Sequence, residues 1–538
     1  MSYNLAELFE RVVDVIPDRT ALITPARRLT YRGLDDRANQ LAHRLRDLGV
    51  RAGDTVGLQL LNGTEFVEAM LAAFKLSAVP INVNVSYVER ELEYLFDNAD
   101  LTAVVFHRRF GTAVGEAADA IGSVEHLIAV DDGSGVDLPP GAIDFETAIA
   151  SEATTRDWSG RSGDDLYIAY TGGTTGLPKG VMWRHEDVFF AALGGGDPLL
   201  DKGPITDPDQ LGSRVQQHPM VQLFAPPLVH VSASWGVFNG LFGGSTVVLA
   251  SPGGFDPAAI WALVEAHGVN MITVVGDAMM RPLLDHYAEH DDIDASSLFA
   301  LASGGALLAA ATKQQAAELL PNVIVVDVFG SSETGTAASR AGTAAESFSA
   351  DVRTVVLDDD LHPVEPGSGI VGRLARCGHV PLGYYKDEAK TKEIFAELDG
   401  RRWVMPGDLA TVEADGTIRL LGRGSGCINT GGEKVFPEEV EAVLKSHPDV
   451  LDVLVVGVPD DRWGSMVTAI VQTRSRRAMT VDELRAHARH DLAGYKLPKM
   501  VVPVDTIVRA PNGKPDYRWA GHVAAEAHEH AAAQSDVR

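Results

Sequence analysis

The segment that most constrains this chain is a glycine-rich loop at residues 171–180, TGGTTGLPKG, which follows the strand-like run LYIAY at 166–170. Its four glycines allow backbone N–H groups to converge on anionic oxygens, while its threonine hydroxyls and Lys179 add donors and a positive charge. Lys179 does not occupy the Walker position, because no Gly-Lys-Ser/Thr sequence is present there. We therefore predict a polyphosphate-binding loop that differs from a P-loop; a flexible surface turn is the simpler alternative.

The charge balance excludes several classes of partner. The chain of 538 residues carries a formal net charge of −28, which repels nucleic acid and anionic membranes. Nucleotides and coenzymes are anions too, so any site for them must be a local basic pocket in an acidic surface. Apolar content of 45% and charged content of 22% are ordinary for a globular enzyme.

Alternating strand and helix patterns indicate the fold class. Helical patterns alternate with strand-like runs in the first hundred residues, and the alternation returns between residues 245 and 329. Strands that alternate with helices favour parallel sheets covered by helices on both faces. We expect an α/β protein with a large N-terminal domain of layered, mostly parallel sheets.

The pattern changes near residue 421. A glycine-dense connector leads to an abrupt helix start at Pro437, with acidic residues in the opening turn. Two strand-like runs, a helix at 480–492 and a last strand near 500–508 follow, which predicts a small α+β module. The tail from Ala520 lacks large apolar residues, and we predict disorder for residues 520–538.

Two features indicate the compartment. The first twenty residues carry acids and lack the apolar core of a signal peptide, and no run approaches the length of a membrane helix. The two cysteines, Cys377 and Cys427, do not suffice for a disulfide framework. We expect a cytoplasmic protein without an integral membrane segment.

Six further motifs follow the glycine loop or lie beside it, and their order is specific. They are PPLVHVSASWG (226–236), ASGGALL (302–308), FGSSETG (329–335), WVMPGDLA (403–410), LLGRG (420–424) and RAPNGK (509–514). Together with the loop they resemble the adenylate-forming superfamily, specifically the acyl-CoA synthetases. The resemblance covers nearly the whole chain and implies an adenylation domain (1–422), a hinge (423–426) and a mobile C-terminal domain (427–519).

The resemblance also implies a nucleotide site. In it Phe329 would stack on adenine, Ser332 would donate to a phosphate and Glu333 would hold Mg²⁺; the usual motif has Tyr and Thr where this chain has Phe329 and Ser332. The ATP- and AMP-binding residues implied are Thr171, Gly172, Gly173, Thr174, Thr175, Gly176, Lys179, Gly304, Gly305, Ala306, Phe329, Gly330, Ser331, Ser332, Asp408 and Arg423. The last two would contact the ribose.

The resemblance assigns the catalytic roles to Lys514, Glu333 and His230. Rotation about a hinge at Ser425 would then move the lysine away so that a thiol can enter. Relatives commonly have aspartate or lysine at the hinge, so Ser425 followed by Gly426 departs from the pattern. Gly432, Glu433 and Lys434 would face the site of thioester formation.

The resemblance implies a first step in which a carboxylic acid is joined to AMP, and the chemistry of that step explains these residue types. A carboxylate that attacks the α-phosphorus of ATP is an anion approaching an anion, so the site must neutralise both and align them. Singly, Asp408 could merely end a strand and Lys514 could be a solvated turn lysine. The set as a whole predicts an ATP-dependent ligase with ATP, Mg²⁺ and CoA as its small-molecule requirements.

The acid and the acceptor are less constrained. Val231, Trp235, Val237 and Phe238, beside His230, predict an apolar acyl pocket, and Asp277 is its polar exception. The motif at 180–198 resembles bacterial ligases of long-chain or steroid-side-chain acids. Basic candidates for the CoA phosphates are Lys434, Lys496, Lys499 and Arg509. Loading of a carrier protein and a non-catalytic binding protein remain alternatives, and the oligomeric state, a homodimer included, is open.

Overall fold

A computed structural model describes residues 2–535 with interruptions. Outside the described part lie residue 1 and residues 172–176, 198–201, 216, 252, 307, 343–346, 424, 425, 431, 432, 461–463, 490, 493, 510–512 and 536–538. For residues 423, 429, 433, 434, 464 and 531–535 the backbone alone is described.

Helices and strands alternate through the first 150 residues, as the sequence predicts. The elements are α1 (Leu5–Val15), β1 (Thr20–Ile23), β2 (Arg28–Thr30), α2 (Tyr31–Leu48), β3 (Thr55–Gln59), α3 (Thr64–Lys75), β4 (Val79–Asn82), α4 (Glu89–Asn98), β5 (Leu101–His107), a 3₁₀ helix (Arg108–Phe110), α5 (Gly111–Ile121), β6 (His126–Val130), β7 (Ile143–Asp144) and α6 (Phe145–Ile149). Local signals set the ends of α2: the Thr30 hydroxyl accepts from Gly33 N at 3.0 Å, and Gly49 ends the helix at φ 111°.

The elements that carry most of the motifs come next. They are β8 (Leu166–Thr171), β9 (Lys179–Arg184), α7 (His185–Ala192), 3₁₀ helices at Gly194–Gly196 and Pro208–Gln210, α8 (Leu211–Arg214), β10 (Val221–Phe224), α9 (Val231–Phe242), β11 (Thr246–Leu249), α10 (Pro257–His267), β12 (Met271–Val274), α11 (Gly276–Glu289), β13 (Ala300–Gly304), α12 (Ala310–Leu319), β14 (Ile324–Ser331), β15 (Gly335–Ala341), β16 (Ser349–Ala350), β17 (Thr354–Leu357), β18 (Gly372–Cys377), β19 (Gly383–Tyr384), α13 (Glu388–Ile394), β20 (Phe395–Leu398), β21 (Arg401–Val404), β22 (Asp408–Val412) and β23 (Ile418–Arg423).

The remaining elements form a small C-terminal module. They are β24 (Ile428–Thr430), β25 (Glu433–Val435), α14 (Pro437–Leu444), β26 (Val450–Asp460), β27 (Gly464–Thr473), α15 (Val481–Ala488), β28 (Met500–Pro503) and α16 (Tyr517–Ser535). As the sequence predicts, α14 begins at Pro437 and two long paired strands follow it.

Two large sheets organise the N-terminal part among the described residues. One has the strand order β16-β15-β14-β13-β12-β10-β11-β1-β2, and the other has the order β19-β9-β8-β4-β3-β5-β6-β7. A smaller sheet, β20-β21-β18-β22-β23 with β17 paired to β18, lies nearer to the module, whose own sheet is β26-β27-β28. The central pairs of both large sheets are parallel, which confirms the predicted α/β fold class.

The hydrophobic core explains the layering. One buried cluster joins residues of both large sheets to α1, α2, α3 and α9, so these helices lie between the sheets. A second cluster packs α10, α11 and α12 on the outer face of the nine-stranded sheet, and a third packs α4 and α5 on the outer face of the other. The carboxyl ends of β12 and β13, an edge where ligands bind in such sheets, lie close to the C-terminal module, since Val275 is near Gly513 and Gly305 is near Lys514.

The end of the chain differs from the disorder predicted for it. Residues Tyr517–Ser535 form α16, and Ala520 and Ala524 are fully buried against Leu454, Ile470 and Val502. Small residues four positions apart allow the helix to approach the sheet closely, so the absence of large apolar residues misled the prediction. Among the described helices, α16 included, none has both the length and the apolarity needed to cross a membrane.

Replacing Ala524 with glutamine should destabilise the C-terminal module. The larger polar side chain would enter a filled core, and we expect a loss of about 1–3 kcal/mol in the free energy of unfolding. Urea unfolding followed by circular dichroism measures this, with the exposed Glu526→Gln as the control. Equal midpoints for the two variants would mean that α16 makes no stabilising contact.

Candidate active site

The glycine-rich loop closes a hairpin. Its flanking residues Thr171 and Lys179 are direct partners in the antiparallel pair β8–β9, while Gly172, Gly173, Thr174, Thr175 and Gly176 lie outside the described residues. The Lys179 ammonium lies 2.8 Å from Asp387 Oδ2 and 5.5 Å from the centroid of the Tyr384 ring. The Lys179 salt bridge therefore holds the pKa of Asp387 below its usual value.

A buried tyrosine fixes the carboxylate of the predicted magnesium ligand. The Tyr384 hydroxyl donates to Glu333 Oε1 at 2.8 Å, and both residues are buried. The backbone N–H of Glu333 donates to Ser331 Oγ at 3.2 Å, and Trp183 Nε1 donates to the Ser332 carbonyl at 2.9 Å. Because the Tyr384 ring also faces Lys179, this residue joins the loop to the FGSSETG turn. Sequence reasoning missed Tyr384; its signal was the aromatic pair in PLGYYKD.

Two parallel strands end at the predicted adenine segments. β13 ends at Gly304, and β14 carries Phe329, Gly330 and Ser331 at its own end. Gly305 has φ +83°, and a Cβ on Gly330 would lie 2.2 Å from the Gly335 carbonyl oxygen, so only glycine fits there. Ala306 follows directly and is partly buried. The close approach of the backbone at Gly335 therefore requires Gly330, and the binding of adenine at these strand ends stays a prediction.

The two residues predicted to contact the ribose are backbone partners in one pair of strands. Asp408 is buried at the start of β22, and its partner across the strand pair is Arg423 at the end of β23. The register therefore brings together two residues that are fifteen positions apart in sequence. For Arg423 the backbone alone is described.

The C-terminal module delivers Lys514 to the strand ends. A Cβ placed on Gly305 would lie 3.8 Å from Cε of Lys514, although the two residues are more than two hundred positions apart. Burial, together with the nearby charge of Lys514, lowers the pKa of His230 to about 4. His230 is therefore neutral near pH 7. The structure thus brings the predicted catalytic lysine, His230 and the nucleotide segments to one place.

Helix α9 carries the residues predicted for the acyl pocket. Val231 is partly buried, and Trp235 lies with its ring centroid 6.1 Å from that of Trp183. Val237 and Phe238 are buried in the main core, with Phe238 against Phe74. Their contact with an acyl chain stays a prediction.

Asp277 lies at the boundary with the C-terminal module. Its Oδ1 accepts from Ala309 N at 3.1 Å, and its Oδ2 lies 3.4 Å from Lys445 Nζ. These described contacts are with protein groups, whereas the sequence placed Asp277 in the acyl pocket.

The hinge and thioester residues are only partly described. Ser425 and Gly432 lie outside the described residues, and Glu433 and Lys434 are described as backbone in β25. Of the basic candidates for CoA, Lys496 pairs with Glu439 at 2.6 Å and Arg509 pairs with Asp452 at 2.7 Å. Lys499 donates its backbone N–H to Val467.

A family model described as AMP-binding enzyme matches residues 9–385, and its C-terminal domain model matches residues 439–514. This chain belongs to the AMP-binding enzyme family. The recognition of the adenylate-forming superfamily from the sequence is confirmed by these matches. They include both the glycine-rich loop and the motif that ends at Lys514.

Relatives of this AMP-binding enzyme match it over almost its whole length. The chain is 48% identical to 3-oxocholest-4-en-26-oate–CoA ligase of Rhodococcus rhodochrous over 97% of this chain and 96% of that one. It is 46% identical to the medium/long-chain-fatty-acid–CoA/3-oxocholest-4-en-26-oate–CoA ligase of Mycolicibacterium smegmatis, over 98% and 97% of the two chains. The fold matches that of the anthranilate CoA ligase AuaEII in complex with anthranoyl-AMP, with a TM-score of 0.84 at 24% identity over 98% of each chain.

The low pKa of His230 can be measured by NMR titration of its ring. We expect a midpoint near pH 4, and a higher midpoint in Lys514→Met, because that variant removes a nearby positive charge. Because the folded pKa lies below the ordinary 6.5, the unfolded chain binds more protons between the two values. His230 therefore contributes stability that is present above about pH 6.5 and is lost as the pH falls through about 4. A midpoint near 6.5 would contradict a buried ring that is neutral near pH 7. The NMR signal is assigned to His230 by its absence in His230→Gln.

Proposed function

We propose that this AMP-binding enzyme is an ATP-dependent acyl-CoA synthetase. It would join a hydrophobic carboxylic acid to AMP with release of pyrophosphate, and then pass the acyl group to the CoA thiol with release of AMP. The observation that carries the proposal is the position of Lys514, which comes from the C-terminal module to Gly305 and His230 at the strand ends. Nearly full-length relatives named as CoA ligases support it.

In the first step the cleft must bring a carboxylate to the α-phosphorus of ATP. Lys514 supplies a positive charge between the two anions at the moment when negative charge accumulates there. The neutral ring of His230 adds no second charge, so the lysine remains the local cation on that side. Asp408 has two oxygens that suit the paired hydroxyls of a ribose. The carboxylate oxygen becomes the bridging oxygen of a mixed anhydride as the bond to pyrophosphate breaks.

At the base of the glycine-rich loop, Lys179 takes up the triphosphate. Its described partner is Asp387, in a pair whose side chains are about one third exposed. An exposed pair of this kind is weak, because water screens it. A triphosphate at the hairpin loop can therefore displace Asp387 and take Lys179 as its own partner.

Glu333 suits a magnesium ion bound together with phosphate oxygens. A single buried carboxylate, fixed by Tyr384 at 2.8 Å, is the kind of oxygen donor that Mg²⁺ uses beside substrate phosphates. When bound, the ion would draw negative charge from the leaving pyrophosphate. The work of the protein is to hold the Glu333 carboxylate in place.

In the second step the CoA thiol attacks the acyl carbon, and AMP leaves with the bridging oxygen. We infer a long-chain fatty or steroid-side-chain acid as the substrate class. The residues predicted for its pocket, Val231 and Trp235, are apolar, and the relatives' names give 3-oxocholest-4-en-26-oate and medium- or long-chain fatty acids. No specific observation favours a carrier protein over CoA as the acceptor.

Carboxylate-dependent exchange of labelled pyrophosphate into ATP tests the first step. We expect exchange with fatty or sterol-derived acids, and a loss of at least about 10²-fold in Lys514→Ala, because the charge that joins the two anions is gone. Thioester formation from CoA and a supplied acyl-adenylate should survive in that variant. Normal exchange by Lys514→Ala would refute the role of the lysine. Acyl transfer to a carrier protein but not to CoA would refute the acceptor.

The magnesium role of Glu333 predicts a specific kinetic change. Glu333→Gln keeps the shape but removes the charge, so the Mg²⁺ concentration for half-maximal exchange should rise about tenfold or more. Tyr384→Phe keeps the Glu333 charge and loses one hydrogen bond, so its shift should be smaller. Unchanged magnesium dependence in Glu333→Gln would place the ion elsewhere.

A further inference from the structure

The loop that carries Lys514 is closed by an arginine at its own base. Arg509 Nη1 donates to the carbonyl of Gly513 at 3.1 Å, and a β-bridge joins Arg509 to Pro515. The rest of the Arg509 guanidinium binds Asp452 through two parallel bonds of 2.7 Å. A two-bond pair fixes the plane of the guanidinium as well as its position. The Asp452 carboxylate therefore determines where the residue before Lys514 lies.

Asp452 is linked to the N-terminal part of the molecule through Lys445, a residue of its own module. Lys445 Nζ lies 3.7 Å from Asp452 Oδ1 and 3.4 Å from Asp277 Oδ2, and the side chains of the three residues are 11%, 17% and 6% exposed. Asp277, Lys445, Asp452 and Arg509 thus form a row of alternating charges, which we call the docking relay. Burial alone would raise the pKa of Asp452, but Lys445 and Arg509 together hold it below its usual value.

The helix that carries Asp277, α11, is part of the surface on which the module docks. Arg281 of α11 is buried and donates to three backbone carbonyls of the module, those of Lys445 (3.0 Å), Val450 (3.3 Å) and Leu451 (2.9 Å). At the start of α11, a Cβ on Gly513 would lie 3.3 Å from the Val275 carbonyl oxygen and 3.6 Å from Ala278 Cβ. One helix thus contacts both the body of the module and the catalytic loop.

We propose that Asp277, Lys445, Asp452 and Arg509 are positioning residues for the first half-reaction: docking of the module on α11 completes the relay, and the relay sets the loop that presents Lys514. This inference rests on the proposed function, because it gives Lys514 its task. It also reassigns Asp277 from the acyl pocket to the docking surface, and Arg509 from CoA binding to the support of the catalytic loop.

The charges explain why docking and loop position are coupled. Lys445 lies between the carboxylates of Asp277 and Asp452, and Asp452 lies between the cations of Lys445 and Arg509. These side chains are largely shielded from water. When the module leaves α11, Lys445 loses its contact with Asp277, while Asp452 keeps both Lys445 and Arg509 within the module. What changes at Asp452 is therefore the position of the Lys445 ammonium. Buried Glu441, which accepts from Val455 N at 2.8 Å, adds another carboxylate beside Lys445. The relay is therefore complete only in the docked arrangement, where Lys514 lies at Gly305.

Asp277→Asn tests the relay with the smallest change of shape. The amide oxygen can still accept from Ala309 N, but the charge opposite Lys445 is lost. We expect kcat for acyl-adenylate formation to fall about tenfold with the KM for the acid unchanged. A higher KM for the acid with unchanged kcat would return Asp277 to the acyl pocket and overturn the proposal.

A double-mutant cycle separates positioning from general stability. Lys445→Met should reduce the rate of adenylate formation, whereas Lys445→Arg should keep most of it. In a chain that already carries Lys514→Ala, adding Lys445→Met should reduce the rate little further. The exposed pair Arg477–Glu483 of the same module supplies the control Arg477→Met, which should leave both half-reactions unchanged. Losses that multiply in the double variant would mean that Lys445 acts independently of Lys514.

Hydrogen exchange tests the relay without any turnover. In Lys445→Met without substrates, peptides that cover residues 276–289 and 509–516 should exchange faster, while those of the eight-stranded sheet should not. Unchanged exchange in both segments would overturn the relay even if activity fell. If the unaltered enzyme carried out neither half-reaction, the proposed function would be refuted. The hydrogen-exchange result would then still show whether the relay holds the loop.

Discussion

The buried guanidinium of Arg281 joins the two parts of the molecule on which the proposed chemistry depends. Its acceptors are three backbone carbonyls of the C-terminal module and the hydroxyl of Thr312. A buried charge whose donors lose their acceptors is costly, so these bonds favour one docked position of the module. In that position Lys514 lies beside Gly305 at the end of β13. It can then supply the positive charge needed when a carboxylate approaches the α-phosphate of ATP.

The electrostatics of the cleft follow from the same constraint. The chain carries a formal net charge of −28, yet its proposed ligands are anions. Carboxylates hold two of its cations: Lys179, at the glycine-rich loop, is held by Asp387, and Lys445, at the boundary of the module, is held by Asp277 and Asp452. The two cases differ in exposure. The Lys179 pair is open enough to exchange Asp387 for a phosphate, whereas the Lys445 contacts are buried and serve to place the loop.

Much of the fold and part of the site could be predicted from the sequence, since both depend on local patterns. The alternation of strands and helices, the strand that leads into the glycine-rich loop and the helix start at Pro437 all depend on residues close together in the chain. The contacts of Tyr384, Arg281 and Lys445 depend on tertiary packing, which no short motif reveals. Asp277 illustrates the limit, since its neighbours in sequence are apolar and its charged partner lies 168 residues later. Helix α16 was missed for a related reason. Its alanines are too small to indicate a buried face by themselves, and they become part of the core only by packing against the module's sheet.

The most direct test of the central claim follows an oxygen atom. With both carboxylate oxygens of the acid labelled with ¹⁸O, a mixed anhydride between the acid and AMP leaves one of them as the bridge. Attack of the thiol on the acyl carbon then releases that atom with AMP. Mass spectrometry of the products of one turnover should find one ¹⁸O in AMP and none in pyrophosphate. Label in pyrophosphate or in inorganic phosphate, or unlabelled AMP beside acyl-CoA, would contradict activation through an acyl-adenylate.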